Sequence, residues 1–405
     1  MSQQRFLFLQ GVCSPFFRQL GLALRNVDQV VRKVNFNVGD SVYWRLGQAA
    51  TFRGPMDALP EFYAKQYEQH GISDIVLFGD CRPVHRPGIA LAKQLGIRVH
   101  VFEEGYFRPF WITLERDGVN GNSTLPKDPD WYRQQALQVA HFANGQAFES
   151  PFWKRAAYDV GYNFWFGANA LLHSRVKSHV PYHPVKEYVS YVGRGVRTLW
   201  YGGDSQRTQA QVIAEAKKHP FYLLPLQLNS DAQIVHHSPF SSMLAAMLHV
   251  LESFSSFAPR RSRLVVKIHP LDPGMVAYRR QLNRAAHELG VADRVFFLES
   301  GSTPALLSAA KGVVTVNSTV GGSALVHNCP TITLGKAIYT MPGLTFQGQL
   351  DEFWHTEERP DAKLFRQFRD VVISRTQVNG GFYSDVGIRF AAENAMFRLM
   401  ARGDL

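Results

Sequence analysis

Residues 72–109 read ISDIVLFGDCRPVHRPGIALAKQLGIRVHVFEEGYFRP. The apolar run Ile72–Phe78 has the length and aliphatic content of a buried strand, and Gly79 stops it. Pro87 opens a helical pattern that continues to Leu95, and Ile97–Phe102 forms a second strand-like run. Strand, helix and strand with short connections form a βαβ unit, whose two strands lie parallel across a right-handed crossover. This segment sets the fold class as α/β.

Upstream, Arg5–Leu9 reads as another strand, ending at Gln10-Gly11. The alternation resumes in the second half. Strands are expected at Phe221–Leu226, Leu264–Ile268, Val295–Leu298, Gly312–Val316 and Thr331–Leu334. Helices at Ser241–Phe254, Tyr278–Leu289, Pro304–Ala310 and Val320–His327 separate them. Two Rossmann-like doubly wound domains follow, with no internal repeat of 20–50 residues. The division is a first domain over 1–180, a linker over 181–206, a second domain over 207–360, and C-terminal helices over 361–405 that cross back to the first.

A chain of 405 residues with 45% apolar and 19% charged residues can build two or three cores and is not a disordered sequence. Lys and Arg number 44 against 33 Asp and Glu, a net charge of +11 that favours anionic partners. Long Lys/Arg runs, zinc-finger spacing and RNP-like aromatics are all missing, which disfavours nucleic acid. Apolar runs fall short of the ~18–20 residues that span a bilayer, and the N-terminal run is too short for a signal peptide. Cys13, Cys81 and Cys329 lie far apart and fit neither a metal spacing nor a disulfide scaffold. A soluble cytoplasmic chain is expected.

The joint between His173 and Arg207 stands out. Arg175, Lys177, Lys186, Arg194, Arg197 and Arg207 face only Glu187 and Asp204, with Tyr182, Tyr188, Tyr191, Trp200 and Tyr201 interleaved. Bases among interfacial aromatics suit an anionic membrane surface. A linker helix packing one aromatic face on a domain accounts for the same pattern.

Ligands of open parallel sheets bind beyond the carboxyl ends of the strands. In the first half those ends carry Gln10-Gly11, then Asp80, Arg82, His85 and Arg86, then Glu103, Glu104 and Arg108. Paired carboxylates are the equipment for acid–base or nucleophilic work at a sugar carbon, and arginines bind a carboxylate or phosphate bidentately. Ion pairs capping the loops are the structural alternative. In the second half the ends carry Gln227, then Lys267 with His269-Pro270, then Asn317-Ser318-Thr319 followed by Gly321-Gly322-Ser323 at a helix start. Small residues, hydroxyls and first-turn N–H groups there suit a phosphate. Walker A, GxSxG, HExxH and GxGxxG sequences are absent, and no Asp-x-Asp metal signature stands at an expected strand end. That combination fits a nucleoside monophosphate leaving group held without a tightly bound cation.

The stretches FLQGVCSPFF (8–17), GDCRPVHR (79–86), EEGYFRPFWITLERDGVN (103–120), LPLQ (224–227), KIHP (267–270) and NSTVGGSAL (317–325) together resemble the capsule polysaccharide β-Kdo transferases of Gram-negative bacteria, in their single-module KpsS type. The resemblance runs from about residue 5 to 345. It implies a GT-B-like glycosyltransferase whose two domains face a central cleft, with the nucleotide on the C-terminal domain. The implied donor is CMP-β-Kdo, the acceptor lysophosphatidylglycerol, and the product a β-linked Kdo made with retention of configuration. The implied location is the inner face of the inner membrane, peripherally bound, with other capsule biosynthesis or export proteins as partners and no cofactor or resident metal. Asp80 would be nucleophile or base, with Glu103 or Glu104 in the other role and His85 beside them. Gln10, Gly11, Arg82, Arg108 and Gln227 would bind substrate, and Lys267, His269, Pro270, Asn317, Ser318, Thr319, Gly321, Gly322 and Ser323 the nucleotide. Two other readings compete: another CMP-releasing transfer (sialyl or glycerophosphate), and a non-catalytic partner in capsule assembly or export.

Overall fold

The computed structural model describes residues 3–142, 145–167, 202–229 and 232–401. Contacts divide the chain into a first unit of residues 1–125, 139–179 and 370–405 and a second of 126–138 and 180–369. In chain order the first strands are β1 (Arg5–Phe8), β2 (Val30–Asn35), β3 (Ala49–Thr51), β4 (Asp74–Phe78), β5 (Arg98–Glu104) and β6 (Trp111–Arg116). There follow β7 (Phe221–Pro225), β8 (Arg263–Lys267), β9 (Val295–Leu298), β10 (Gly312–Thr315), β11 (Thr331–Thr333) and β12 (Gln377–Asn379).

The first sheet runs β3-β2-β1-β4-β5-β6-β12, its first five strands parallel and the last two each antiparallel to the strand before. The second runs β9-β8-β7-β10-β11 and is parallel throughout. Both sheets wind the same way. The chain starts in the middle, adds two strands to one side, then returns to the other side of its first strand. The winding reverses between β1 and β4 in one unit and between β7 and β10 in the other, the switch points where such sheets bind ligands.

Strand alternation explains the cores. Phe6 and Phe8 point to the face covered by helices Phe16–Arg25 and Asp385–Met400, while Leu7 and Leu9 point to that covered by Leu59–His70 and Arg86–Gln94. In the second unit Tyr222, Leu224 and Val266 pack under Phe254 and Trp354, and Phe221, Leu223 and Val265 pack on Leu306 and Ala324. Burial on both faces is why these strands read as continuous apolar runs.

The unit boundaries differ from the sequence division in two places. Residues 126–138 belong to the second unit, because Lys127 Nζ donates to the carbonyls of Ala337 and Ile338 at 2.7 Å and Tyr132 packs on Phe368 at 5.0 Å. The C-terminal change of unit falls at 369 rather than 360, within the helix Ala362–Thr376. Beyond it the chain contributes more than helices: β12 closes the edge of the first sheet, and Phe382 wedges 5.0 Å from Phe16 and 5.4 Å from Phe78. Of the basic, aromatic linker, residues 181–201 lie outside the described residues, and 202–214 are helical. Among the described residues no helix is long and apolar enough to cross a membrane.

A buried cation sits beneath the first switch point. Lys33 Nζ donates to the carbonyls of Leu9 (2.6 Å) and Val34 (3.2 Å), and burial pushes its ammonium down to about 8, despite nearby Asp40. The folded value lies below the ordinary 10.5. The unfolded chain therefore binds the extra proton between these two values, and stability from this residue rises across that window and is lost as pH falls to 8. Lys33→Met lacks this titration. Between about pH 7.5 and 10.5, denaturant titrations should move the stability difference toward the parent protein by up to about 3 kcal/mol. A pH-independent difference would show that Lys33 keeps its charge at no cost.

Candidate functional site

The carboxyl edge of the first sheet is organised around its switch point. Gly79 ends β4 with φ +71°, a left-handed turn open to glycine, and its N–H donates to Phe102 O at 2.9 Å. Three residues on, Arg82 reaches back across the crevice. Its Nη1 donates to Gln10 Oε1 (3.1 Å) and Gly11 O (2.9 Å), and its guanidinium lies 5.2 Å from the centre of the Phe78 ring. The Gln10 amide in turn donates to Tyr162 Oη at 3.3 Å.

The two glutamates are strand residues, contrary to the expectation that they follow the strand. They pair with Thr113 and Ile112 of β6 as the last residues of β5, so their side chains leave on opposite faces. Glu103 turns toward the β4 loop: a Cβ on Gly79 would stand 3.7 Å from Glu103 Oε2 and 3.8 Å from Arg82 Nε. Glu104 turns the other way, 3.4 Å from Arg155 Nη2 and from the Tyr383 hydroxyl, with Arg155 stacked 4.6 Å over the Tyr383 ring.

Asp80 is buried, and its Oδ2 accepts from Val119 N (3.2 Å) and Asn122 Nδ2 (2.9 Å), which fixes the carboxylate against the turn after β6. His85 is fully buried, with Nδ1 2.7 Å from Gly79 O; this geometry braces the 79–86 loop from within. Arg108 is exposed and donates from Nε to Gly105 O at 3.3 Å. The structure thus gathers Gln10, Gly11, Arg82 and Glu103 around the switch point. It sets Glu104 on the far face of β5, His85 beneath the loop and Arg108 at the surface.

The second unit solves the same problem with amides. Gln227 and Asn317 bridge β7 and β10 reciprocally: Gln227 Nε2 donates to Asn317 Oδ1 (3.0 Å), and Asn317 N donates to Gln227 Oε1 (3.2 Å). Beyond them, Ser318 Oγ caps the helix Thr319–Val326 by accepting from Val320 N at 3.1 Å. Gly321 has no room for a Cβ, which would collide with the Tyr339 hydroxyl that donates to Ser318 O at 2.5 Å. Thr319 and Ser323 are exposed on one helix face. Lys267 is the buried last residue of β8, and Pro270 is exposed. His269 Nδ1 accepts from Leu271 N at 3.0 Å, so the ring proton sits on Nε2 and makes that nitrogen a donor.

Next to His269 a cavity of about 430 Å³ is lined by Ile268, Val276, Tyr278, Arg279, Phe297 and Glu299. That volume lies in the range of small-molecule sites. Glu299 follows β9 and accepts from Arg279 Nε at 3.3 Å. The strand-end search passes over Glu299 although it stands directly after an expected strand. Asp40 and Tyr162 were also missed: one begins a short helix after an unread strand, and the other lies on a helix far along the chain.

All three thiols are held back from reaction. Burial raises Cys13, Cys81 and Cys329 to about 12, helped at Cys13 by Asp159 and at Cys81 by Asp80. Only the thiolate is nucleophilic, so at pH 8 the reactive fraction is about 10⁻⁴. A disulfide reagent should label well under one thiol per native chain in minutes and all three after denaturation. Fast labelling of one native thiol would return cysteine to the list of candidate nucleophiles.

Comparison with known proteins places these features in a family. A model described as capsule polysaccharide biosynthesis protein matches residues 73–383. The chain is 35% identical over 384 residues to the Escherichia coli capsule polysaccharide export protein KpsS, with 95% of this chain and 98% of that protein covered. It is also 35% identical over 399 residues to the capsule polysaccharide modification protein LipB of Neisseria meningitidis serogroup B, covering 95% and 93%. Among solved structures, it is similar to the Thermosulfurimonas dismutans KpsC β-Kdo 2,7 transferase, at 14% identity and a TM-score of 0.47 over 98% of both chains. The KpsC β-Kdo 2,4 transferase of that organism is similar at 15% identity and a TM-score of 0.39, over 91% and 90%. The chain belongs to the capsule polysaccharide biosynthesis protein family.

Proposed function

We propose that this protein is a retaining glycosyltransferase that moves Kdo from CMP-β-Kdo to lysophosphatidylglycerol, beginning the β-Kdo linker of capsular polysaccharide. One observation carries the reading: the two switch points bear complementary chemistry. One has carboxylates and a guanidinium, and the other has an imidazole donor, hydroxyls and a helix start. A protein that only held an anionic polymer would gain nothing from acids at its ligand edge.

Taken by itself, each unit offers groups that suit a different part of the donor. In the second unit, His269 Nε2–H, the Lys267 ammonium and the positive end of the helix after Ser318 stabilise the departing cytidine monophosphate. Gly322 lets the backbone approach it, whereas the side of Gly321 that a Cβ would take is filled by Tyr339. The neighbouring cavity takes the nucleoside, with the Glu299 carboxylate accepting from sugar hydroxyls. In the first unit, Arg82 holds the carboxylate that Kdo carries on its anomeric carbon, as a planar fork matched to that group.

Retention follows from two displacements. A carboxylate attacks the anomeric carbon as the bond to the phosphate oxygen breaks and CMP leaves. The acceptor hydroxyl then loses its proton to the second carboxylate and displaces the first. We assign these roles to Asp80 and Glu103, because Glu104 is turned away toward Arg155 and Tyr383. No step is routed through a metal. The proposed lipid acceptor and the net charge of +11 support a reaction at an anionic membrane surface.

The test is mass spectrometry of a reaction holding purified protein, lysophosphatidylglycerol and CMP-Kdo made in situ. The expected product is the lipid heavier by one Kdo residue, formed equally well in EDTA. Asp80→Asn and Glu103→Gln should each lower kcat by about 10³-fold or more, and Glu104→Gln by about tenfold or less. No product with active donor, or transfer only from CMP-sialic acid or CDP-glycerol, would overturn the donor assignment. Full activity in Asp80→Asn would overturn the mechanism.

A further inference from the structure

The orientation of Arg82 depends on a chain of hydrogen bonds that ends on a distant helix. Arg82 Nη1 donates to Gln10 Oε1 at 3.1 Å. A glutamine amide can rotate by half a turn and offer N–H groups instead, which would repel the guanidinium. Two acceptors prevent this. Tyr162 Oη stands 3.3 Å from Gln10 Nε2, and Asp40 Oδ2 lies 3.5 Å from the same nitrogen.

These acceptors are themselves fixed. The Tyr162 hydroxyl donates to Asp40 Oδ1 at 3.0 Å and accepts from Asn37 Nδ2 at 2.7 Å, so its lone pairs face the two amides. Asp40 Oδ2 accepts from Phe36 N at 3.0 Å. The Tyr162 ring is buried and stacks on Tyr43, with centroids 6.0 Å apart and planes 12° from parallel. Burial and nearby Asp40 keep the phenol well above its ordinary value, so it remains a neutral donor.

We infer that Tyr162 and Asp40 are positioning residues for Arg82: through Gln10 they hold the guanidinium in the pose that receives an acid sugar, and so set the preference for a donor with a carboxylate on its reacting carbon. The inference rests on the carboxylate role proposed for Arg82. Neither residue touches the substrate, and both act by fixing which end of one amide faces the guanidinium.

Tyr162→Phe removes the hydroxyl and keeps the stacked ring. It should raise KM for CMP-Kdo about tenfold with kcat within about twofold and acceptor KM unchanged, the size expected for one lost orienting hydrogen bond. The decisive measurement is a cycle with Arg82→Lys, in whose background Tyr162→Phe should add less than about twofold. Asp40→Asn is the second variant, expected to couple to Arg82 in the same way. The cycle is also read without turnover, from the affinity for free Kdo by calorimetric titration. Equal weakening by Tyr162→Phe in both backgrounds, or a lowered melting temperature with unchanged KM, overturns the inference. So does equal affinity of the parent and Arg82→Lys for free Kdo. Absent transfer with the coupling in Kdo binding intact overturns the transferase reading alone.

Discussion

A glutamine amide closes the gap where each sheet reverses its winding. At such a point the loops from two neighbouring strands leave toward opposite faces, and the crevice between them exposes polar groups that the ladder no longer serves. Gln10 and Gln227 stand two residues past β1 and β7, each after a leucine whose N–H still bonds the neighbouring strand. Gln10 takes a guanidinium from across the gap and Gln227 takes an amide. Arg82 hangs from the first bridge and Asn317 from the second.

The different bridging partners give the units different characters. Arg82 brings a positive charge into the first crevice, where Glu103 flanks the same glycine turn and Lys33 sits buried below. Strong charges at close quarters need fixed geometry, and the first unit supplies it with Asp40, Tyr162 and the Asp80 anchor on Val119 and Asn122. The second crevice is closed by neutral amides, and its polarity comes from a helix start and from a tautomer fixed at His269. An N–H-rich edge with the Lys267 ammonium suits a phosphate.

Much of this was legible from strand ends. The βαβ unit at 72–102 and the five strands of the second sheet could be read because burial on both faces writes them as unbroken apolar runs. β2 was missed because Arg32 and Lys33 interrupt its run, and Lys33 is buried only through two backbone carbonyls that no pattern reveals. β6 pairs antiparallel with β5 just before it, and β12 pairs with β6 from far along the chain. The acid pair misled in a specific way: charged residues read as loop, yet β5 continues through them and turns Glu103 and Glu104 to opposite sides. Asp40 and Tyr162 stand 122 positions apart, a separation across which composition carries no signal.

The return of the chain to its first sheet has a consequence for synthesis. The second unit's sheet is complete once β11 has left the ribosome, whereas the first lacks β12 and the helix Asp385–Met400 until residues 377–400 emerge. Until then the aromatic face around Phe16 and Phe102 has no cover from Phe382, Ile388 and Ala391. The second unit can therefore fold while the first waits for its last strand and its covering helix.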